Sequence, residues 1–488
     1  MASESQLPIL PHGSASTLRA LSETFSFHAS PEAFITSRVL DFQSSNKSLA
    51  ESRIPIRAKV LNRNVAVISS YHHVKKILDD EDKVSTFSAS KAYDELMAPF
   101  FPPPNLLLTD PPEHHSMKEG WKTKVNRLPS EARPLVRSIT LRYFGGFESG
   151  STIDLYESMK ELSWMLIISI FCNASEKDAV TLESLQEDLL RGQFSLFPVS
   201  LNARVWRSPR SRGLAARKKL QELLKGRAKS GQNGCPFPVH TAADEDDVAS
   251  HLLLFTSSLA VKSLSSLLTA CLLNLFVFKE MDLDAGDSIA SNVKSLTSDA
   301  DRLELLESAL LETQRLSPPV VGIMRRTIQE VTLPSDSDGM PDTLIPKDWD
   351  TWLYFVGAAR DPAVFGETAD LFRTGRYYHR SQDQRHVEQG FAFGAGPKSC
   401  LGEHLMREVV MTVMSTCLGI DSGNPEVKPR IGLQGRMQDI PKGVQAWLGW
   451  QQNVKPEEWA KDMKQLPTQR PSKAVMVKLV HDLGHRSK

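Results

Sequence analysis

The chain has 488 residues, a formal net charge of zero and 24% charged residues, so its composition gives no indication of nucleic acid as a partner. Its 41% apolar content is ordinary for a globular protein with a sizeable core, and the length alone allows two or three domains. Five cysteines with no disulfide spacing fit a reducing compartment. We therefore expect a cytoplasmic protein, or one associated peripherally with an intracellular membrane.

The N-terminal segment, residues 1–53, is polar and rich in Pro, Ser and His, which predicts a partly irregular segment. It contains no long apolar stretch, so we expect no membrane anchor there. Residues 56–60 alternate in polarity and residues 65–68 continue as a second strand after a turn, which predicts a hairpin. Ser69 or Ser70 is then expected to cap a helix.

A proline-broken apolar loop, residues 100–108, precedes the sequence Asp-Pro-Pro-Glu-His-His-Ser-Met-Lys at 110–118. His114 and Lys118 are four residues apart, so a helix would place both on one face. An exposed polar helix start is the simpler interpretation. A zinc site is less favoured, because the chain has no Cys-x-x-Cys or His-Glu-x-x-His motif.

In the middle of the chain, a basic stretch is followed by a long apolar stretch. Residues 204–229 hold ten Lys or Arg and one acid, which fits either contact with an anionic membrane surface or a solvated helix face. Acids at 244–247 then precede an apolar run to residue 278, and acids are favourable at a helix N-terminus. Because Lys262 and several serines interrupt this run, we interpret it as a long core helix and expect no transmembrane span.

Two charged motifs follow. Glu312 and Arg315 are three residues apart and can pair on one helix face, although many helices carry such a pair by chance on a solvated surface. The segment Ser-Pro-Pro-Val-Val-Gly-Ile-Met-Arg runs from residue 317 to Arg325. A second arginine, Arg376, lies in Phe-Arg-Thr-Gly-Arg-Tyr at 372–377.

The most informative stretch is Phe-Gly-Ala-Gly-Pro-Lys-Ser-Cys-Leu-Gly at 393–402. Cys400 lies on a glycine-rich loop directly before a helical run, where free backbone N–H groups and the helix dipole favour a thiolate. Glycines allow a large flat ligand to approach the backbone. Such a cysteine can be the axial ligand of a haem iron. The alternative is a buried cysteine beside an ordinary glycine turn.

These motifs, in this order, resemble those of the cytochrome P450 family of haem-thiolate monooxygenases. The resemblance covers most of the chain and implies a mainly helical cytochrome P450 fold with small peripheral β-sheets, built around haem b. It favours one large haem domain over residues 54–488, preceded by the polar segment 1–53.

The resemblance also implies roles for individual residues. Cys400 would be the thiolate ligand, on a loop whose motif positions include Phe393, Gly394 and Gly402. A second set of residues would hold the haem propionates. A third set would form a buried structural charge network behind the haem. The propionate contacts would be His114, Lys118, Arg325 and Lys398, and the network would be Glu312, Arg315 and Arg376. The family usually has arginine at the position of Lys118 and arginine or histidine at that of Lys398, and lysine lacks the bidentate fork of arginine.

The chain departs from the family in its central helix. Leu259 and Ala260 stand where oxygen-activating members have an acid and a threonine that deliver protons. The hydroxyls of Thr256, Ser257 and Ser258, or a substrate hydroxyl, could order a water chain instead. Alternatively the enzyme does not activate dioxygen, or a helix bulge relocates the alcohol.

The expected function is therefore oxidation of a small lipophilic substrate, in secondary metabolism. NADPH would supply electrons through a cytochrome P450 reductase or a ferredoxin. Pocket residues would come from 100–108, 256–260 and 320–323. The alternative is a reductase-independent isomerase or dehydratase that rearranges a peroxide, an epoxide or another preoxidised substrate. A non-catalytic haem sensor is a third reading.

Overall fold

The structure is a computed structural model that describes residues 17–45, 54–60, 63–79, 86–174, 176–195, 200–201, 206–229, 236–237, 241–277, 288–335, 342–380, 390–420, 430–434, 463–464, 468–471 and 474–482. Parts of the predicted basic stretch and Cys235 lie outside these residues. Helices dominate the described part of the chain. In chain order they are α1 (Thr17–Ala29), α2 (Pro31–Ser45), α3 (Tyr71–Asp79), α4 (Ala89–Met97), α5 (Glu113–Val125), α6 (Leu128–Gly145), α7 (Leu155–Phe171), α8 (Glu176–Gln193), α9 (Pro209–Lys229), α10 (Ala242–Phe255), α11 (Ser258–Phe276), α12 (Ile289–Ser295), α13 (Asp299–Leu316), α14 (Phe355–Ala358), α15 (Pro362–Phe365) and α16 (Glu403–Leu418).

The strands form small sheets. They are β1 (Ile56–Val60), β2 (Arg63–Ile68), β3 (Phe87–Ser88), β4 (Thr152–Asp154), β5 (Gly322–Thr327), β6 (Val331–Leu333), β7 (Thr343–Ile345), β8 (Asp350–Tyr354), β9 (Arg430–Gln434), β10 (Met463–Lys464), β11 (Arg470–Pro471) and β12 (Met476–Asp482). The largest sheet has the order β1-β2-β8-β5-β3, and only the β2–β8 pair in it is parallel. A second sheet has the order β4-β12-β9. The predicted fold class, mainly helical with small sheets, is confirmed.

The core lies around α11. Most side chains of this helix are buried, and it packs against α7, α13 and α16. The main hydrophobic cluster draws on the same helices, and Cys172, Cys271 and Cys417 belong to it. Burial raises the pKa of the Cys271 and Cys417 thiols to about 12, so both stay protonated at neutral pH.

The predicted N-terminal hairpin is present as β1 and β2, with residues 56–60 paired to 67–63. Ser70 then caps α3, because its side-chain oxygen accepts a hydrogen bond from the His73 N–H at 3.3 Å.

Helices α1 and α2 lie in the segment that the sequence predicts to be partly irregular. Phe27, Phe34 and Ile35 from these helices are buried and pack with β1 and with Trp352, whose ring centroid is 4.7 Å from that of Phe27. The polar average of the segment hides these three residues, which lie on two separate helices.

The predicted central helix is present but interrupted. Thr256 ends α10, and Ser257 has extended backbone (φ −62°, ψ 148°) and caps α11. In the described part of the chain, Ala243–Phe276 is the one helical segment long and apolar enough to cross a membrane, and 72% of its most apolar window is buried inside the protein. Its apolar surface is therefore used by the core, as predicted.

Candidate active site

The loop at 393–400 closes on itself before α16 begins. The Cys400 N–H donates to the Phe393 carbonyl oxygen at 2.8 Å, and the Ser399 N–H donates to that of Gly396 at 3.1 Å. Gly394 and Gly396 have φ of +71° and +65°, a region that favours glycine. The loop thus places Cys400 just before the first turn of α16.

Gly396 is required for a second reason. A Cβ atom at this position would lie 2.0 Å from the carbonyl oxygen of Leu78, at the end of α3. At Gly394 the nearest atom to such a Cβ would be the Ser399 Cα at 3.8 Å, which is ordinary contact. Of these two glycines, therefore, only Gly396 packs tightly against α3.

Cys400 lies directly beside residues of the main hydrophobic core. Its side chain is accessible, yet the neighbouring Leu401 and Met406 pack against the main hydrophobic core. Burial raises the pKa of the Cys400 thiol, while the Gly402 N–H and the charge of Lys118 act in the opposite direction. The sequence analysis anticipated the stabilising N–H groups and missed the stronger, opposing effect of burial on the pKa of Cys400.

Three of the four predicted propionate contacts lie together beside the loop. Lys118 Nζ donates to the carbonyl oxygens of Pro397 and Ser399 at 2.7 and 2.8 Å, and Lys398 Nζ donates to that of Thr109 at 2.5 Å. His114 is 3% exposed, and its Nδ1 has no hydrogen-bond partner among the residues that the structure describes. Burial, followed by the charges of Lys398 and Lys118, lowers the pKa of His114 to about 3.

The fourth predicted contact is Arg325, which is followed in the chain by a second arginine, Arg326. Arg326 pairs with the buried carboxylate of Asp350 at 2.8 Å, which fixes it on the sheet. Arg325 is also buried, at 3% exposure, and its Nη1 donates to the Met324 carbonyl oxygen at 2.8 Å. The two arginines therefore have different surroundings, and the ion pair with Asp350 explains the position of Arg326.

The structure brings the predicted charge network together. Arg315 donates to both oxygens of Glu312, and neither side chain is exposed. Arg376 Nε donates to Glu312 Oε1 at 3.2 Å. The sequence did not identify two further contributions: the Arg373 N–H donates to the same carboxylate at 3.1 Å, and Arg315 donates to the carbonyl oxygens of Ala359, Ala369 and Leu371.

The three predicted hydroxyls at the helix break have partners of their own. Thr256 Oγ1 donates to the Leu252 carbonyl oxygen at 2.7 Å, and Ser257 Oγ accepts from the Ala260 N–H at 3.3 Å. Ser258 Oγ donates to Glu187 Oε1 on α8 at 3.0 Å. These hydrogen bonds therefore stabilise the break between α10 and α11 and connect it to α8.

Two neighbouring residues of α8, which the sequence did not indicate, contact the break between α10 and α11. Gln186 Nε2 donates to Thr256 Oγ1 at 3.1 Å, and Glu187 also pairs with Lys262 at 3.0 Å. Lys262 was noted only as an interruption of the apolar run. The charge of Lys262 and its hydrogen bond lower the pKa of Glu187 against the effect of burial, which is the largest single influence.

The residues around Cys400 fit a haem. Cys400 is accessible on a glycine loop, and thiolate sulfur is an established axial ligand of haem iron. The unpartnered Nδ1 of His114 lies among the charges of Lys118 and Lys398, where it can hydrogen-bond a carboxylate. This donor set matches the iron and the propionates of one cofactor.

Comparison with known proteins gives the same family. The sequence profile described as Cytochrome P450 matches residues 263–419. The chain is 27% identical over 148 residues to cytochrome P450 714A2 of Arabidopsis thaliana, which covers 29% of this chain and 27% of that protein. It is 29% identical over 108 residues to cytochrome P450 monooxygenase gsfF of Penicillium aethiopicum, covering 22% and 20%. The matches thus span less than a third of either relative.

The whole fold also has a solved counterpart. The structure titled retinoic acid bound cyanobacterial CYP120A1 superposes with a TM-score of 0.64 and 18% identity, and it covers 90% of this chain and 94% of that one. At this identity the similarity concerns the fold. Taken together, the superposition shows that this chain has the mainly helical cytochrome P450 fold with small peripheral sheets, and residues 263–419 match the Cytochrome P450 profile.

Proposed function

We propose that this protein is a haem-thiolate monooxygenase that oxidises a small lipophilic molecule. The observation that carries the proposal is the exposed Cys400 on its glycine loop, which lies next to the main hydrophobic core and near the charges of Lys118 and Lys398. Cys400 would ligate the iron, and His114, Lys118, Lys398 and Arg325 would hold the propionates. When bound, the haem would supply oxygen activation, which the thiolate promotes by donating electron density.

The chain's own residues would bind the substrate and keep water out. Leu259 and Ala260 are partly exposed although they lie on a core helix, so they are candidates for the cleft wall. Ile323 on β5 is also partly exposed, and Phe100, Phe101 and Leu108 pack into the main core. Such a wall offers mainly apolar contact, which favours a lipophilic substrate.

Partners and location are part of the proposal. NADPH would supply electrons through a cytochrome P450 reductase or a ferredoxin. The predicted membrane contact has a candidate surface beside α9, where Trp206 is 56% and Leu201 54% exposed next to a helix rich in Lys and Arg. A cytoplasmic protein in peripheral contact with an intracellular membrane would use this surface, and a role in secondary metabolism stays a prediction.

One observation favours the second candidate, an isomerase or dehydratase that needs no reductase. The positions expected to hold the proton-delivering acid and alcohol are Leu259 and Ala260, and the nearby hydroxyls of Thr256 and Ser258 already donate to other groups. Rearrangement of a ready-made peroxide or epoxide has no need of such a pair.

The two functions are separated by an isotope experiment. Haem-loaded protein is incubated with a metabolite extract under heavy dioxygen, with and without NADPH and reductase. A monooxygenase gives products that gain one heavy oxygen atom only when reductase is present. Unlabelled product formed equally well without reductase would establish the rearranging enzyme instead.

A further inference from the structure

A small cavity lies beside the cysteine loop (residues 393–400), between α13 and the start of α16. Its volume is about 30 Å³, and the residues that line it include Gln314 on α13, Phe393 and Gly394 in the loop, and Glu403 and Arg407 on α16. We infer that this cavity binds ordered water, which joins Gln314 to the cysteine loop and helps to fix the position of Cys400. The site itself does not depend on the reaction that the protein catalyses.

The side-chain amide of Gln314 is the first reason for this assignment. Gln314 is 3% exposed, and its Nε2 has no hydrogen-bond partner among the residues that the structure describes. A buried N–H group without a partner lowers stability, and buried polar groups in proteins are nearly always paired with protein atoms or with ordered water. Because Gln314 lines the cavity, a water there can accept the hydrogen bond that the protein does not.

The size and chemistry of the cavity indicate water and not an ion. A cavity needs about 10–15 Å³ to hold one water, so about 30 Å³ is sufficient for one or two. Gly390 and Gly394 also line it, and because they have no side chains they present backbone atoms. Glu403 and Arg407 form an ion pair at 3.0 Å on the α16 side. Their charges balance, which favours a neutral ligand over a free cation or anion.

The position of the cavity connects it to Cys400. Phe393 lines the cavity, and its carbonyl oxygen accepts the hydrogen bond of the Cys400 N–H at 2.8 Å. The Arg407 guanidinium lies 5.8 Å from the centroid of the Phe393 ring, within the range of a cation–π contact. Water bound to Gln314 would therefore connect α13 to the residue that holds the Cys400 backbone. Gln314 is a positioning residue in this account.

The chain is also close to α13 just before the loop. A Cβ atom at Gly390 would lie 2.7 Å from the Arg315 Cα, so the backbone of residue 390 lies directly against the helix that carries Gln314. The cavity begins where this close contact ends and the chain turns toward Cys400. A small bound molecule is thus the means of filling the space between the helix and the loop at this point.

The first experiment is a crystal structure of the haem-loaded protein, at a resolution that shows water, for the parent and for Q314M. Methionine keeps the length of the side chain and removes the N–H donor. We expect a water peak within hydrogen-bond distance of Gln314 Nε2 in the parent and its loss in Q314M. A parent cavity without a peak would overturn the inference. So would an anomalous peak at the site in crystals grown with bromide, because it would show an anion.

Thermal unfolding gives an independent outcome. Q314M should lower the midpoint if the amide binds water, because a hydrogen bond is lost. In a dry cavity the same substitution would remove an unpaired buried donor, and the midpoint would rise. A raised midpoint in Q314M would therefore contradict the inference.

The link to Cys400 is tested by the rate at which the reduced carbon monoxide complex loses its thiolate band. Ala392 also lines the cavity, so A392V should displace the same water while it leaves Gln314 in place. We expect Q314M and A392V each to raise this rate about fivefold, the size expected for one lost hydrogen bond. The double variant should be no faster than either single one, because the water can be lost only once. Q329M, an amide exchange at an exposed position, should match the parent.

The outcomes separate this inference from the proposed function. Rates that multiply in the double variant would show two independent packing effects and would overturn the role of the water. Unchanged rates in both single variants would overturn the link to Cys400. A parent without a thiolate band would refute the proposed function, and the crystal structures would still decide whether Gln314 binds water.

Discussion

Arg315 and Glu312 form two parallel hydrogen bonds inside the protein, Nε to Oε2 at 2.8 Å and Nη2 to Oε1 at 2.7 Å. Both side chains are 0% exposed, so neither charge can be solvated when its partner is removed. The pair joins α13 to the segment of Arg373 and Arg376, which leads toward the cysteine loop. It is therefore a structural support of the site.

We expect E312Q to destabilise the protein by about 3–5 kcal/mol, because the buried guanidinium of Arg315 loses its counter-charge. Thermal unfolding of the haem-loaded variant is the measurement. The control is E119Q, which removes a carboxylate from an exposed pair with Lys122 and should change stability by less than about 1 kcal/mol. Equal effects of the two substitutions would contradict the assigned burial.

A second prediction concerns the two loop glycines. G394A and G396A both force alanine into positive φ, but only G396A also drives its Cβ into the backbone of Leu78. We expect G396A to purify with much less haem per chain than G394A, measured from the absorbance of the haem relative to that of the protein. A similar haem content in the two variants would show that the loop does not pack on α3 in solution.

The third prediction concerns Lys118. K118M loses three hydrogen bonds to Pro397 and Ser399 and a positive charge beside the cleft, so haem should dissociate faster. K118R, which carries the residue usual in the family, should retain haem at least as well as the parent. K122M on the same helix is the control, since Lys122 is 52% exposed. Transfer of haem to apomyoglobin gives the rates, and equal rates for K118M and K122M would exclude the role.

The fourth prediction is a pH dependence. The pKa of His114 is about 3 in the folded protein, below its usual value of 6.5. Between these two pH values, His114 is protonated in the unfolded chain and neutral in the folded chain. This group's contribution to stability is complete above pH 6.5 and is lost as the pH falls toward 3. The apoprotein should therefore lose stability over this range, and H114Q should lose less. A parent and a variant with the same pH profile would show that His114 titrates normally.

Contacts between residues that are close together along the chain could be predicted from the sequence, and contacts between distant residues could not. The cysteine loop, the Glu312–Arg315 pair and the β1–β2 hairpin were found because their residues are close neighbours in sequence. Glu187 and Ser258 are 71 residues apart, and the charged residues of α8 give no sign of which one will face the central helix. The break at Ser257 was equally hidden, because it contains neither glycine nor proline.

The most direct test of the account is the absorption spectrum of the reduced, haem-loaded protein under carbon monoxide, recorded for the parent and for C400S. We expect the parent to give the red-shifted band of a thiolate-ligated haem and C400S to lose it, while C417S, at a buried core cysteine, keeps it. A parent protein that binds no haem, or one whose band survives in C400S, would contradict the assignment of Cys400 as the iron ligand.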